Sequence, residues 1–501
     1  MRRATLFVLG ALVGGLLAVA PPAAAAPSVN GFQTGFLDDS VFGGPWASLG
    51  FQRAADAGAT VVRLRLDWSA VAPAGASKPS GFDATNPSDP RYNWTAFDNL
   101  VTAAIANGQT PIANIFYAPQ WSLTSPGAGL PATVPDPAAF AQFALAAARR
   151  YSGSTPGIPR IKYWEIWNEP NIGLYFKPQF VGGQPYAPSW YRDIVNRSAD
   201  ALKSVHADNF VIAGSTAPFY DLTPSTQAAN SRWGPLGFMR AMLCLTPELT
   251  PVGAGCKVKF DAWSHHPYTE GGPMHTAVLP DDVSLGDLPK MKAVLDAAWS
   301  AGNIVATAPP QFWITEFSWD SSPPDPNGVP MDLLQRWIPE SMYMMWSDGV
   351  SVLTWFLLED APYTYQAGLY THGATGPQDE PKPILQAFRF PFVAYRSAGG
   401  VRFWGRTPSG RSASVAVEQE FLGGWNLLGT VQADQYGIVQ GRFDTSSRLP
   451  VRARTAVLGE TSVPFSLRMV PDRYFVTFAQ HSLEPPPVRR PRPAIPQRWR
   501  P

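Results

Sequence analysis

Ile161-Lys162-Tyr163-Trp164-Glu165-Ile166-Trp167-Asn168-Glu169-Pro170 is an apolar, aromatic and β-branched run that stops abruptly at Asn-Glu-Pro. Such a run reads as a buried strand, because these side chains fit a pleated, enclosed surface. Proline ends it, since it has no N–H to give to a sheet ladder. The strand therefore carries a carboxylate, Glu169, to its C-terminal tip, the end at which parallel α/β barrels collect their functional groups. The fold turns on whether seven similar strands surround this one. The chemistry turns on whether one of them brings a second carboxylate.

Outward from that stretch, strand-like and helix-like segments alternate. Upstream, Gly31–Asp38, Thr60–Trp68 and Thr110–Tyr117 read as strands, each followed by a helical pattern at Trp46–Ala57, Thr95–Asn107 and Pro137–Tyr151. Gly58 and Gly108 stand where helix-terminating glycines belong. The fourth strand is followed by a helix over Ser189–His206. Downstream, strands at Phe210–Ser215, Val258–Tyr268, Gln311–Trp319 and Val350–Glu359 alternate with helices at Leu236–Leu243, Leu288–Ala301, Met331–Ser347 and Pro383–Tyr395. Eight strand-then-helix units predict an α/β fold, a closed (β/α)8 TIM barrel with long loops on one face. A doubly wound open sheet is the alternative, but no Gly-rich phosphate loop follows the first strand.

From about Val401 short alternating segments separated by Gly, Asp, Ser and Pro replace the helical period, which predicts a small C-terminal antiparallel β-sandwich. The chain thus divides into a leader over 1–26, a barrel over 27–398, a sandwich over 399–481 and a Pro/Arg-rich disordered tail over 482–501. The leader has Arg2 and Arg3, an apolar run from Leu6 to Ala20 and small residues Ala23–Ala26, the pattern of a secretory signal cleaved near Ala25 or Ala26. An extracellular location is expected. The two cysteines, Cys244 and Cys256, flank a loop rich in Pro and Gly and are expected to form a disulfide.

Net charge of +1 with 15% charged residues leaves no electrostatic footprint for nucleic acid or anionic lipid. No later stretch is apolar enough to span a bilayer as a helix. A neutral partner fits better, and the 18 Trp and 16 Tyr suit sugar rings, whose apolar faces stack on aromatic ones. The basic tail suggests association with a cell surface.

A second carboxylate does stand in a comparable place. Gln311-Phe312-Trp313-Ile314-Thr315-Glu316-Phe317 is an apolar strand with a single acid near its C-terminal end, and burying an acid is costly without a purpose. Glu169 and Glu316 on strands four and seven face each other across a barrel mouth, as cleavage of a glycosidic bond requires. Strand parity puts Arg63, Arg65 and Asp67 on one interior face, and Glu165, Trp167 and Glu169 on another. Glu165 is expected a layer lower, in a structural pair with Arg65. Arg63 is then free to hold Glu316 ionised and depress its pKa. His266 and Tyr268 share parity on strand six, the histidine facing sugar hydroxyls and the tyrosine donating to Glu316. The adjacent His265 and His266 point to opposite faces with no third ligand, so no metal is expected. Trp355 on strand eight is placed as the floor of the sugar site, with Tyr117 and Trp121 as further substrate contacts.

Val62-Arg63-Leu64, Trp167-Asn168-Glu169-Pro170-Asn171, His266-Pro267-Tyr268, Ile314-Thr315-Glu316 and Trp355, in this order on strands two, four, six, seven and eight, resemble clan A glycoside hydrolases, families 5 and 39 above all. The resemblance covers Gly31 to about Tyr395. It implies a retaining double displacement without metal or cofactor: Glu169 as acid/base, Glu316 as nucleophile, Asn168 bonding the 2-hydroxyl, and Tyr268 and Arg63 orienting the nucleophile. Family 5 enzymes carry a histidine at the end of strand three, where this chain has Asn114-Ile115-Phe116-Tyr117-Ala118-Pro119, so the likeness leans towards family 39 or an unclassified relative. The C-terminal segments resemble immunoglobulin-like accessory modules, with Trp425 as core tryptophan. The expected activity is that of a secreted retaining O-glycosidase acting on a polysaccharide or glycoconjugate. The rivals are a non-catalytic carbohydrate-binding protein on the same barrel and a transglycosylase using the same residues.

Overall fold

The computed structural model describes residues 31–124, 134–219, 231–253, 255–362 and 364–468. The leader over 1–26, the tail over 482–501 and an expected strand at Tyr474–Ala479 lie outside them. Eight parallel strands close into a barrel: β1 (Gln33–Leu37), β2 (Val61–Asp67), β3 (Thr110–Phe116), β4 (Tyr163–Ile166), β5 (Phe210–Thr216), β6 (Ala262–His265), β7 (Gln311–Phe317) and β8 (Val350–Phe356). Closure is made by β1 against β8, in parallel register from Gln33↔Val352 to Leu37↔Phe356, which rules out the open doubly wound sheet.

A helix follows each strand: α1 (Ala47–Asp56), α2 (Thr95–Ala106), α3 (Pro137–Arg150), α4 (Ala187–Val205), α5 (Pro235–Met242), α6 (Leu288–Ser300), α7 (Met331–Ser347) and α8 (Ile384–Arg389). α3 shows why the sequence puts its ends where it does. Asp136 accepts from the Ala139 N–H at 2.9 Å, Pro137 takes the first turn, and Arg149 and Arg150 lie at the negative end of the helix dipole. Cys244 and Cys256 form a disulfide in the loop after α5. No helix among the described residues is long and apolar enough to cross a membrane.

Three elements differ from the sequence reading. β4 ends at Ile166 because Trp167 takes a left-handed φ of 68°, which swings its ring out of the barrel against Phe140 and Phe176. Trp167 therefore does not share the interior face with Glu165. β6 begins only at Ala262, since Val258–Lys259 pairs separately with Ile304–Val305. The last helix ends at Arg389, because Phe392–Ser397 is taken by a strand of another sheet.

The barrel interior is layered. Its lowest layer is apolar, from Val61, Ile112, Tyr163, Ile212, Ala262, Trp313 and Val352. One step up each strand the lining turns polar, with Arg63, Asn114, Glu165, Ser215, Ser264 and Thr315 all buried. A floor of packed rings thus supports a charged layer, and the candidate site stands on that layer.

The C-terminal part holds two three-stranded antiparallel sheets. One is formed by β9 (Phe392–Ser397), β10 (Gly400–Arg406) and β13 (Ile438–Asp444), the other by β11 (Ser414–Phe421), β12 (Gly424–Gln432) and β14 (Val451–Thr455). Trp425 is not a core residue: it is half-buried on the edge strand β12, with the Arg452 guanidinium 4.1 Å from its ring centroid. Trp404 is the fully buried tryptophan here, packed on Phe32, Tyr343 and Trp346 of the barrel.

Candidate active site

Glu165 anchors the polar layer. It is fully buried, and Arg63 Nε lies 2.5 Å from its Oε2. Asn114 Nδ2 donates to the same oxygen at 3.1 Å, and the Ser215 and Ser264 hydroxyls donate to Oε1 at 2.8 and 3.0 Å. Burial alone pushes the Glu165 carboxyl up, but Arg63, His266 and the Thr315 hydroxyl outweigh it and hold the group below its ordinary value. The expected partner Arg65 does not reach Glu165. One repeat higher on β2, it pairs instead with Asp39 at 3.2 Å and lies over the Tyr117 ring at the mouth.

Arg63 also supports the groups above it. Its Nη2 donates to Asn168 Oδ1 at 2.8 Å and to Ser215 Oγ at 3.3 Å, while Nη1 stands 3.4 Å from Glu316 Oε2. One guanidinium thus ties a structural carboxylate below to an amide and a carboxylate above. Fixing the Asn168 oxygen leaves its Nδ2 as the donor end of that amide.

Glu169 and Glu316 meet over this layer. Glu169 sits at a left-handed φ of 47°, and its N–H donates to Ser215 O at 2.9 Å. Glu316 reaches the interior through an irregularity in β7: Ile314 pairs with Leu353 but Phe317 with Trp355, so three residues span two. That extra residue lets Thr315 and Glu316 both serve the inside. Tyr268 Oη donates to Glu316 Oε1 at 2.8 Å, and burial with the adjacent carboxylate keeps the phenol protonated far above its ordinary range.

His266 is fully buried beneath the pair and does not face sugar hydroxyls. Its Nδ1 lies 3.1 Å from Glu169 Oε1 and 3.8 Å from Glu316 Oε2, and its Nε2 lies 3.3 Å from Ser215 Oγ and Thr315 Oγ1. Ligand atoms of Glu169, His266 and Glu316 all fall within 4.8 Å of one another. Two carboxylates and an imidazole at that spacing could also hold a divalent cation. Neighbouring His265 points away, its Nε2 on Val283 O and its pKa pushed down to about 3 by burial, so it stays neutral.

Glu316 is not depressed by Arg63, contrary to expectation. Burial pushes its pKa up, the Glu169 charge adds to that, and His266, Arg63 and the Tyr268 bond only partly offset them. The reason is geometric: the closest arginine contact is spent on Glu165, and Glu316 receives the longer one.

This chain is similar in fold to solved glycoside hydrolases. A family 39 glycoside hydrolase from Bacteroides cellulosilyticus shares 15% identity at a TM-score of 0.49, over 84% of this chain and 83% of its own. A monomeric beta-xylosidase from Caulobacter crescentus shares 13% at 0.47, over 84% and 96%. A beta-glucosidase from Thermotoga maritima shares 13% at 0.42, over 69% and 85%. No family profile matches the sequence, and no curated protein does.

Among the other expected substrate contacts, Tyr117 is 37% exposed at the mouth, stacked on Phe116. Trp121 is half-buried in the wall between the loops after β2 and β3, packed on Trp68 and Phe82 with its N–H on Pro73 O. Trp355 does not floor the site. It is fully buried outside the barrel against Phe317, Trp319 and Phe388, and its N–H donates to Ala367 O. The next residue, Phe356, takes the inward position, edge-on to Tyr268 and Tyr365. Sequence reasoning missed Phe356, Tyr365 and Tyr175. Tyr175 is edge-on to Phe116, and burial beside Glu169 and Glu316 pushes its phenol up to about 12.

Proposed function

We propose that this chain is a retaining O-glycosidase in which Glu169 is the acid/base and Glu316 the nucleophile. The observation that carries the reading is the spacing: an oxygen of each carboxyl lies within 4.8 Å of the other. Retaining enzymes hold their carboxyls about 5–5.5 Å apart, whereas inverting ones leave about 6.5–9.5 Å for a water.

In the first step Glu316 Oε attacks the anomeric carbon. The glycosidic C–O bond breaks, and Glu169 gives its proton to the departing oxygen. In the second step Glu169 takes a proton from water, whose oxygen attacks the same carbon and releases Glu316. The free-site electrostatics suit this division. Once Glu169 carries the proton its repulsion of Glu316 vanishes, and Arg63, His266 and Tyr268 then favour the Glu316 carboxylate. The Asn168 amide, fixed by Arg63, is the donor for the 2-hydroxyl of the bound ring. The leader pattern over 1–26 supports export, which sequencing the N-terminus of protein from the medium tests: it should begin near Ala26 or Pro27.

Glu169→Ala and Glu316→Ala should each lose at least about 10³-fold in kcat on natural saccharides. Added azide should restore turnover of an activated aryl glycoside by both, giving a glycosyl azide of inverted configuration from Glu316→Ala and of retained configuration from Glu169→Ala. Normal turnover by either variant without azide ends the assignment.

A further inference from the structure

Strand parity separates His265 from His266 and leaves neither with a second metal ligand on its own strand. The fold supplies ligands from elsewhere, because Glu169 after β4 and Glu316 on β7 both arrive over His266. We propose that Glu169, His266 and Glu316 form a zinc site, and that Zn2+ bound there shuts the active site by occupying both catalytic carboxylates. Binding stands on the geometry alone, whereas the shut-off rests on the glycosidase reading and adds a regulator to it.

The donor atoms are already near ligand spacing. His266 Nδ1 lies 3.1 Å from Glu169 Oε1 and 3.8 Å from Glu316 Oε2, and the three groups offer atoms within 4.8 Å of one another. Zinc bonds of about 2.0–2.2 Å set neighbouring ligands roughly 3–3.5 Å apart. Nδ1 and Glu169 therefore stand in place, and a small rotation of the Glu316 side chain closes the set. The side chains of Glu169 and Glu316 are 13% and 16% exposed, so the site opens to the mouth, where water completes the coordination. The layer beneath has the form that zinc-bound histidines use. His266 Nε2 stands 3.3 Å from the hydroxyls of Ser215 and Thr315. Ser215 gives its own proton to Glu165, so its oxygen can accept the Nε2 proton and leave the Nδ1 lone pair for a metal.

Charge favours a dication. Glu165, Glu169 and Glu316 bring negative charge to this layer, and the positive charge of Arg63 is spent mainly on Glu165, which it meets at 2.5 Å against 3.4 Å for Glu316. The two catalytic carboxylates are thus left for a divalent ion to neutralise. One imidazole with two carboxylates suits zinc, whereas magnesium prefers an all-oxygen octahedron and keeps its waters. His265 does not compete, since Nδ1 lies 2.8 Å from Thr216 Oγ1 and Nε2 3.0 Å from Val283 O. The rival for zinc is the exposed His372 with Glu359, 2.5 Å apart, which offers one imidazole and one carboxylate. Among the described residues, no other three His, Cys, Asp or Glu side chains converge as Glu169, His266 and Glu316 do.

The test is calorimetric titration of the full chain with zinc chloride, and separately with magnesium chloride, before any substrate is added. The wild type should bind one Zn2+ per chain. Glu169→Gln, Glu316→Gln and His266→Leu should each weaken that binding by at least about tenfold, while His372→Ala leaves it unchanged. The two glutamine variants keep side-chain shape, so weaker binding in them reports a lost ligand and not a lost fold. Zinc binding that survives all three changes, or that His372→Ala removes, overturns the site, as does magnesium bound as tightly as zinc. With a 4-nitrophenyl glycoside that the wild type cleaves, zinc should raise KM, leave kcat unchanged and be reversed by EDTA. Inhibition that lowers kcat at constant KM, or zinc held by the three side chains while hydrolysis proceeds normally, overturns the shut-off. Hydrolysis untouched by zinc, with no zinc bound, overturns the metal site and leaves the glycosidase reading intact. Zinc binding with the expected ligand dependence, in a chain that hydrolyses no glycoside offered, keeps the metal site and counts against the glycosidase reading.

Discussion

Arg63 carries more of the site than any other side chain, since it serves Glu165, Asn168, Ser215 and Glu316 at once. Removing one partner of a buried pair leaves an uncompensated charge, so Arg63→Met should cost about 3–5 kcal/mol in urea unfolding. Its mirror, Glu165→Gln with Arg63 kept, should also destabilise, which separates a charge effect from lost packing. Tyr268→Phe keeps the ring and deletes only the bond to Glu316. Stability should change by under about 1.5 kcal/mol, while kcat on an activated aryl glycoside falls by about 10²-fold. The raised Glu316 pKa sets the sign of the pH dependence. As activity needs Glu316 ionised and burial is the largest cause of its raised pKa, the acid limb of kcat/KM should lie above the ordinary carboxylate value of 4.5, and Glu169→Gln, which mimics the protonated acid, should leave that limb in place. An acid limb at or below 4.5 contradicts the burial argument.

At the scale of elements, the strand count and the two key carboxylates were legible because they rest on period and on the cost of burying an acid. Glu316 is the single charged residue of Gln311–Phe317, so it stands out. Asn114 in Thr110–Phe116 is the same kind of intruder, and the same argument applied to β3 finds it. What parity could not supply was direction wherever the backbone departs from a regular strand. Trp167 and Ser215 take left-handed φ of 68° and 50°, and β7 carries its extra residue, so Trp167 leaves the interior while Ser215 and Glu316 enter it. Parity also fixed a face but not a height, which is why Arg65 was matched to Glu165 when Arg63 is level with it. The junction of β1 and β8 offers a test at this scale. Asp38 clasps the two loops there, and burial pushes its carboxyl up to about 6 from 3.8. The native state therefore holds a proton that the unfolded chain has released between those values, and stability falls as pH rises from about 4 to 6, by up to about 3 kcal/mol. Asp38→Asn, which cannot titrate, should show a shallower fall than the wild type in unfolding measured at pH 4 and pH 7.

At the scale of the molecule, the C-terminal sheets are tied to the barrel at the end away from the site. Arg406 is fully buried and donates to Phe32 O and Gly58 O, the backbone just before β1 and just after α1. Trp404 fills the space between Phe32, Tyr343 and Trp346. Arg336 of α7 lies 4.2 Å over Phe465 and donates to Ser466 O, and Arg389 pairs with Glu460. This junction combines a large apolar plug with buried hydrogen bonds, so separating the two parts exposes tryptophan and strands an arginine. The sheets thus share a packed junction with the barrel, a contact the sequence alone did not reveal because its partners lie far apart along the chain. Trp404→Ala should cost about 3–5 kcal/mol. Because the plug belongs to both parts, the loss should appear as a lower midpoint of one shared transition, read equally by near-UV circular dichroism and by loss of glycosidase activity. Two separate transitions, with activity outlasting the first, would show that the barrel stands without the sheets.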